Sequence, residues 1–553
     1  MPADMPREDY AAPAAYTLSL MGRVIKYLVF GGLTIAVVSL ASYEGTHLYV
    51  EHVALASPSR SGDDEAFGWA DENQAWTGGE RGGTDPRLGF RARHALRAAW
   101  IAWEWGAGDT ASTIAIHPEL RRPASPGAGS VNTVDRGYQL ADEYIEAAIA
   151  AARRRGFAFP PELDPTRPAG PPAHAAPEPV HADATALDLL MLKAGILERI
   201  GTRDAVSHAR ELYEQVLAAR VGAGHDLPVP KARVMRLAHK LGDLAQRHGD
   251  AAEAEAWWAW GLARAGLDLP ELKAGVVPPA PSTGSWWWPF GGSKAAPSEP
   301  APPPATATLH ALPAPVLRAA TNLLISASAA DAQNATPAGL DAAAAVQALA
   351  LSYLPHPKSV AVPSSSTGPA VLQDTWEQQR AALVTLHKAS VSHARKDASA
   401  DPLELASSAA DAAEAVLSTL TPTLPTAFTA PSSNPLAQPA RRLLRDTLST
   451  AAEASFTRAA LLERRANLVT STEDKVHCLE HAGEAYERAM SLAAAESGTT
   501  DAKSKKEEDA VGRGEDWTRF WTGYVRANEK IMKLVSEGEK GKAGDKEGKD
   551  KGK

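Results

Sequence analysis

Apolar positions in this chain recur three and four residues apart over long stretches, and almost nowhere do they alternate as a half-buried strand requires. The pattern predicts an all-α body. Amphipathic runs are expected over Leu88–Gly106, which stops at a glycine, and over Arg136–Arg155, where Ala141, Ile145 and Ala148 share one face. They resume from Ala186 to Gly266, then near 316–330, 340–354, 372–396 and 403–419. Longer runs follow at 440–468 and 473–495, with a last amphipathic piece from Trp517 to Val535.

One stretch has no polar face at all. Tyr27–Tyr43 (YLVFGGLTIAVVSLASY) contains 17 residues without a charge, at the short end of what spans a bilayer as a helix. Arg23 and Lys26 precede it, while Glu44, His47 and Glu51 follow, with no Lys or Arg until Arg60. The positive-inside rule therefore predicts one uncleaved span with residues 1–26 in the matrix or cytosol and the body on the far side.

Breakers divide the rest. Residues 44–87 read as a polar connector, and 88–268 as a first helical region interrupted by a proline-rich insertion at 156–182. A proline-rich linker spans 269–315 and carries Trp286–Trp288 away from any core. A second helical region covers 316–535, with a Pro/Ser-rich insertion at 421–439. The lysine–glycine tail 536–553 is expected to be disordered.

Helices in pairs call for a search for repeats. In Met235–Gly266, Leu241 and Gly242 precede the turn Gly249–Asp250, and Ala254, Trp258 and Gly261 follow with four-then-three spacing. A small residue in the first helix lets the second approach, and an aromatic fills the space between successive hairpins. Asp188–Arg220 offers Gly195 in the first-helix slot and then Ala209, Tyr213 and Val216. Near the C-terminus Ala482, Tyr486 and Ala489 repeat the triplet. These positions resemble those of a tetratricopeptide (TPR) repeat, which implies a superhelix of helical hairpins. Ala245 stands where the repeat has an aromatic, and the closing proline is displaced to Pro270.

Composition narrows the function. Alanine and leucine carry much of the 44% hydrophobic share, and the net charge of −9 is spread as both signs with no basic stripe, which argues against nucleic acid. The single cysteine, Cys478, excludes an intrachain disulfide and a Cys-based metal site. No phosphate-binding loop, nucleophile elbow or HExxH pair occurs. No cofactor, catalytic residue, metal ligand or small-molecule substrate is therefore assigned. His477 and His481 have helical metal-site spacing, but they need a further ligand. The tryptophans Trp100, Trp103, Trp105, Trp257, Trp258 and Trp260 read mostly as core. Asn334-Ala335-Thr336 is a lone glycosylation sequon that matters only in a secretory lumen.

An N-terminal anchor followed by interrupted TPR-like hairpins is similar in layout to fungal TPR-containing adaptor subunits of the mitochondrial inner-membrane i-AAA protease. The resemblance implies a body in the intermembrane space, partnered with that protease and its unfolded clients in protein quality control. The acidic residues Asp4, Glu8 and Asp9 depart from a mitochondrial presequence. Two alternatives stay open. One is a scaffold or chaperone-docking protein of the ER or outer mitochondrial membrane, although Lys193, Arg236 and Lys240 are too scattered for a chaperone-tail clamp. The other is an enzyme with an unrecognised site in residues 316–535.

Overall fold

The computed structural model of the chain describes residues 11–56, 67–73, 76–106, 136–162, 170–171, 181–222, 228–273, 312–354, 368–397, 400–427, 436–498 and 515–550. Helices dominate these residues, and they contain no named strand, only an isolated bridge between Ala56 and Gly82. Contacts divide the chain into two units, residues 1–57 with 76–156 and residues 58–75 with 157–553. Trp286–Trp288 lie outside the described residues.

In the first unit, α1 (Ala11–Tyr49) is far longer than the expected 27–43 span. At 1.5 Å per residue it measures roughly 58 Å, about twice a bilayer's hydrocarbon core. Among the described residues it is the one helix long and apolar enough to cross a membrane, and the apolar side chains of its middle are exposed. Arg23 and Lys26 lie on it just before Tyr27. Thr34 and Thr46 donate their hydroxyls to carbonyls one turn back (2.8 and 2.9 Å), so they need no water there.

A π-helical turn, Val50–Ala54, continues α1 and delivers Glu51 into the unit. The Glu51 carboxylate accepts from the Thr84 backbone N–H (3.0 Å), the Thr84 hydroxyl (2.8 Å) and the Arg93 guanidinium (2.8 Å), and Arg97 stands 3.4 Å away. Gly83, with φ +68°, has no room for a side chain, because a Cβ would lie 2.7 Å from Glu51 Oε1. Around this latch α2 (Gly89–Trp105) and α3 (Arg136–Arg154) pack through Leu96, Ala99, Ala141, Ile145 and Ala148, all buried. The supposed polar connector 44–87 thus begins as helix and buries Val50, Glu51, Trp69 and Trp76.

The second unit is a succession of helical pairs. α4 (Ala184–Ile200) packs on α5 (Arg203–Gly222), and α6 (Pro228–His248) on α7 (Ala251–Ala263). The short α8 (Leu269–Lys273) follows. Then α9 (Ala314–Gln333) packs on α10 (Pro337–Tyr353), α11 (Pro369–Arg395) on α12 (Pro402–Ala427), and α13 (Ala437–Leu468) on α14 (Thr472–Gly498). Each pair also packs on the next, and α15 (Glu515–Asp550) closes against α14. The turns follow local chemistry. Gly201 (φ +71°) ends α4 in the left-handed region, and Asp250 caps α7 by accepting from Glu253 N–H at 3.0 Å.

The breakers are narrower than the sequence suggests. Leu269, in the supposed linker, is buried in the core beside Leu267 and Val316, and α9 already begins at Ala314. The insertion 421–439 is helical at both ends, through Ala427 and from Ala437. Ala158 and Asp183 close the base of the 156–182 insertion with two hydrogen bonds, of 2.8 and 2.9 Å. The tail expected to be disordered is helical through Asp550. Lysine and glutamate are good helix formers. That outweighs the tail's glycines.

The repeat positions pack tightly. Leu241, Ala254, Trp258, Ala209, Tyr213, Val216, Ala482, Tyr486 and Ala489 are all buried. At Gly242 an added Cβ would meet Trp258 Nε1 at 2.2 Å, so the indole lies flush on the glycine of its own hairpin. Gly261 receives Leu323 of the following pair, 3.0 Å from where a Cβ would stand. Gly195 is only partly buried, while its neighbour Ala194 is fully buried. Two hairpins share a further tie: Tyr213 donates to Glu198 (3.2 Å) and Tyr486 to Glu463 (3.0 Å), each reaching back to the first helix. Glu463 also accepts from Arg526 and Lys530 of α15, both at 2.7 Å.

Two predictions follow from this packing. Gly242→Ala should destabilise the protein by about 1–3 kcal/mol despite alanine's better helix propensity, because Trp258 must move. Gly483→Ala, where a Cβ meets nothing within 4 Å, should be neutral or stabilising. Chemical denaturation of the two variants side by side tests the pair, and equal effects would rule out the close approach. The second concerns acid. Burial works to raise the Glu463 carboxyl, but hydrogen bonds from Arg526, Lys530 and Tyr486 outweigh it and hold it at about 2. A depressed carboxylate contributes stability above its unfolded value of 4.5, and that contribution fades as pH falls from there toward 2. Arg526 is half-exposed, so screening limits the effect to about 1–2 kcal/mol. Stability measured from pH 6 to pH 2.5 should fall less steeply in Glu463→Gln than in the wild type.

Candidate functional site

Four arginines of the second unit converge on a short piece of chain far from them in sequence. Residues Phe67–Asn73 (FGWADEN) enter through a 3-10 turn at Ala70–Glu72. Trp69 is 2% exposed, its ring under the Arg318 guanidinium at 3.7 Å and its indole N–H donating to the Pro369 carbonyl at 3.0 Å. Arg318, also 2% exposed, donates to the Phe67 carbonyl (2.7 Å) and to Glu72 Oε1 (2.6 Å). Arg236 donates to the same carboxylate at 3.0 Å, and Arg233 pairs with Asp71. Arg442 completes the set on the Glu72 carbonyl at 2.9 Å.

Most of these groups share a place in their helices, with Arg236 about a turn further along α6. Asp188 in α4, Arg233 in α6, Arg318 in α9, Gln373 in α11 and Arg442 in α13 are each the fifth or sixth residue of the first helix of a pair. Stacking the pairs brings that register into one row. Gln373 bonds Arg318 through its carbonyl oxygen and donates to Glu377 at 2.8 Å, so the guanidinium is held from two sides.

The electrostatics are those of a basic surface part-way out of water. Burial pushes the Arg236, Arg318 and Arg442 guanidiniums down from their ordinary value, and Glu72 opposes that shift in all three. Arg220 is lowered by burial and by Arg233. Asp188 lies 3.8 Å from Arg220, and burial raises its carboxyl to about 6 against the pull of Arg220 and Arg233. Besides Asp71 and Glu72, the carboxylates acting on this row are Asp188, Glu377 and Asp446, against the guanidiniums of Arg220, Arg233, Arg236, Arg318 and Arg442 and those of Arg199 and Arg445 that act on Arg442. The surface therefore suits an acidic ligand carrying an aromatic ring.

Other candidates disperse. Lys240 is taken by Glu198 at 2.9 Å. His239 bonds Ser326 (2.8 Å) and His248 approaches Ser207 (3.2 Å), so the two histidines have separate partners. His477 and His481 stand 3.2 Å apart and His481 reaches Glu484, but no group of three or more metal ligands forms among the described residues. Trp257 and Trp258 are core, whereas Trp105 is half exposed beside Tyr49 on the first unit. Asn334 is exposed at the end of α9, and Thr336 caps α10. The arginine row was not found from sequence, because its members are spread from residue 233 to 442 and only helix register unites them.

Breaking the row should be costly. Arg318→Met is expected to lose about 2–4 kcal/mol, less than for a buried ion pair left with no partner, because Arg236 still faces Glu72. The Glu72→Gln and Arg318→Met double variant should lose less than the sum of the singles by about 1–2 kcal/mol, since the two groups share one interaction. Strict additivity in a denaturation double-mutant cycle would contradict the pairing. No family model matches the chain, and no curated protein matches it, so a functional reading stands on this geometry and on the layout of the sequence.

Proposed function

We propose that this chain is a membrane-anchored, TPR-like adaptor whose second unit binds short linear segments of other proteins. The observation that carries the reading is the row of polar and charged side chains at one register of five successive first helices, with a peptide-like segment seated on it. Repeat proteins that stack helical pairs use such rows to recognise chain segments rather than to perform chemistry. The apolar α1 supplies the tether, with Arg23 and Lys26 on its inner flank.

The layout's likeness to fungal adaptors of the i-AAA protease supports a finer form of the reading. In it the body stands in the intermembrane space, and unfolded inner-membrane clients are held beside the protease. Holding client and protease together raises the effective concentration of one for the other without any new catalytic group. The test is protease protection with tags at both termini, followed by native co-purification. A C-terminal tag digested only after the outer membrane is opened, with the AAA protease co-purifying, is the expected outcome. A cytosolic or ER-lumenal tag would remove the mitochondrial reading and leave a tethered helical binding protein. A purified protein that retains no peptide on an array of unfolded-protein segments would remove the adaptor reading itself.

A further inference from the structure

We propose that Phe67–Glu72 is a built-in ligand of the arginine row, which competes with acidic, aromatic segments of partner proteins and so gates their binding. The inference rests on the adaptor reading and adds its ligand chemistry and its regulation. The ligand class is a peptide with a tryptophan two positions before a pair of carboxylates, the order Trp69-Ala70-Asp71-Glu72 in this chain.

Three observations carry it. First, the contacts are of the kind a peptide makes in trans. Three of them go to main-chain carbonyls, from Arg318 to Phe67, from Arg236 to Asp71 and from Arg442 to Glu72, and these fix a peptide's path whatever its side chains. The others are one aromatic under a guanidinium, its indole N–H on the Pro369 carbonyl, and two carboxylates on arginines. Second, the row belongs to residues 233–442, and its helices are paired and packed on one another, with Trp69 and Phe67 inserting into the core they form. The segment is joined to the row only through non-covalent contacts and a long path along the chain. Third, the row is over-supplied with positive charge once Asp71 and Glu72 are discounted. An empty row would attract an acidic replacement, and these contacts would be stronger in this half-buried setting than on an open surface.

The gate works by mass action. A ligand tethered to its own site has an effective concentration on the order of millimolar, so it lowers the apparent affinity of a competitor by its occupancy of the site. For an internal segment of about 100 μM intrinsic affinity, that amounts to roughly tenfold for any competitor. A partner that offers several such segments, or a membrane-held client at high local concentration, would displace the internal one.

The experiment uses the full chain in nanodiscs and a fluorescein-labelled peptide of the sequence AFGWADEN, read by anisotropy. The wild type should bind weakly. Trp69→Ala with Asp71→Asn and Glu72→Gln should bind about tenfold tighter, the tether no longer competing. The same peptide with both carboxylates replaced by amides should bind neither form, and raising the salt should weaken the gain. Because Trp69 is also a core residue, the single variant Glu72→Gln serves as the conservative arm. It keeps the indole in place, and it should bind the peptide several-fold more tightly than the wild type. A folded variant that takes up the peptide no better than the wild type overturns the gate. If both forms bind array peptides equally well whether or not these are acidic, the adaptor reading survives and the built-in ligand does not. If neither form binds any peptide, both fall together.

Discussion

A guanidinium with 2% of its surface in water must be matched by an anion and by acceptors placed for it, or the fold around it will not hold. Arg318 meets that demand with groups from two separate parts of the chain: Glu72, the Phe67 carbonyl and the face of Trp69 in the 67–73 segment, and Gln373 of α11. The surrounding apolar core is continuous from α6 to α13 and includes Trp69 among its members. The 67–73 segment and the helices at mid-chain are thus solved as a single packing problem. With the segment seated, each holds the other in place.

Close approach is what allows the helices to form that core with so few large side chains. The interior is alanine-rich, and specificity comes from a few aromatics set against the smallest possible partner. Trp258 lies on Gly242, and Tyr486 lies against Gly523 of α15, where a Cβ would stand 2.5 Å from the ring. The tyrosines at the corresponding positions keep their hydroxyls satisfied by a glutamate of the first helix. Trp258 has no such partner, and its indole N–H is buried without a hydrogen bond. The glycine at 242 therefore serves shape rather than polarity.

Much of this was legible in the sequence. The helical class, the apolar N-terminal helix and the buried triplets around Trp258, Tyr213 and Tyr486 follow from spacing alone, because spacing on a helix decides which side chains share a face. Helix ends were less legible. α1 outruns its apolar stretch, and α15 outruns its amphipathic one, since propensity and pairing can carry a helix past the point where burial stops. The role of 67–73 was not legible at all. A polar stretch with one tryptophan reads as connector until its carboxylates are seen beside arginines more than a hundred residues away. Gly195 marks the same limit, since it is only partly buried and the burial falls on Ala194.

The Glu51 latch has a mechanical meaning. The helix that carries the apolar stretch does not end in a swivel. It runs unbroken through a π-helical turn into a carboxylate bonded to Thr84 and Arg93. With the helix standing in a bilayer, the α2–α3 hairpin would be carried at a set height and azimuth above the lipid, like a bracket bolted to a post. Tension pulled on that hairpin would load those bonds in shear, all at once, so the joint would resist tugging better than any one hydrogen bond does.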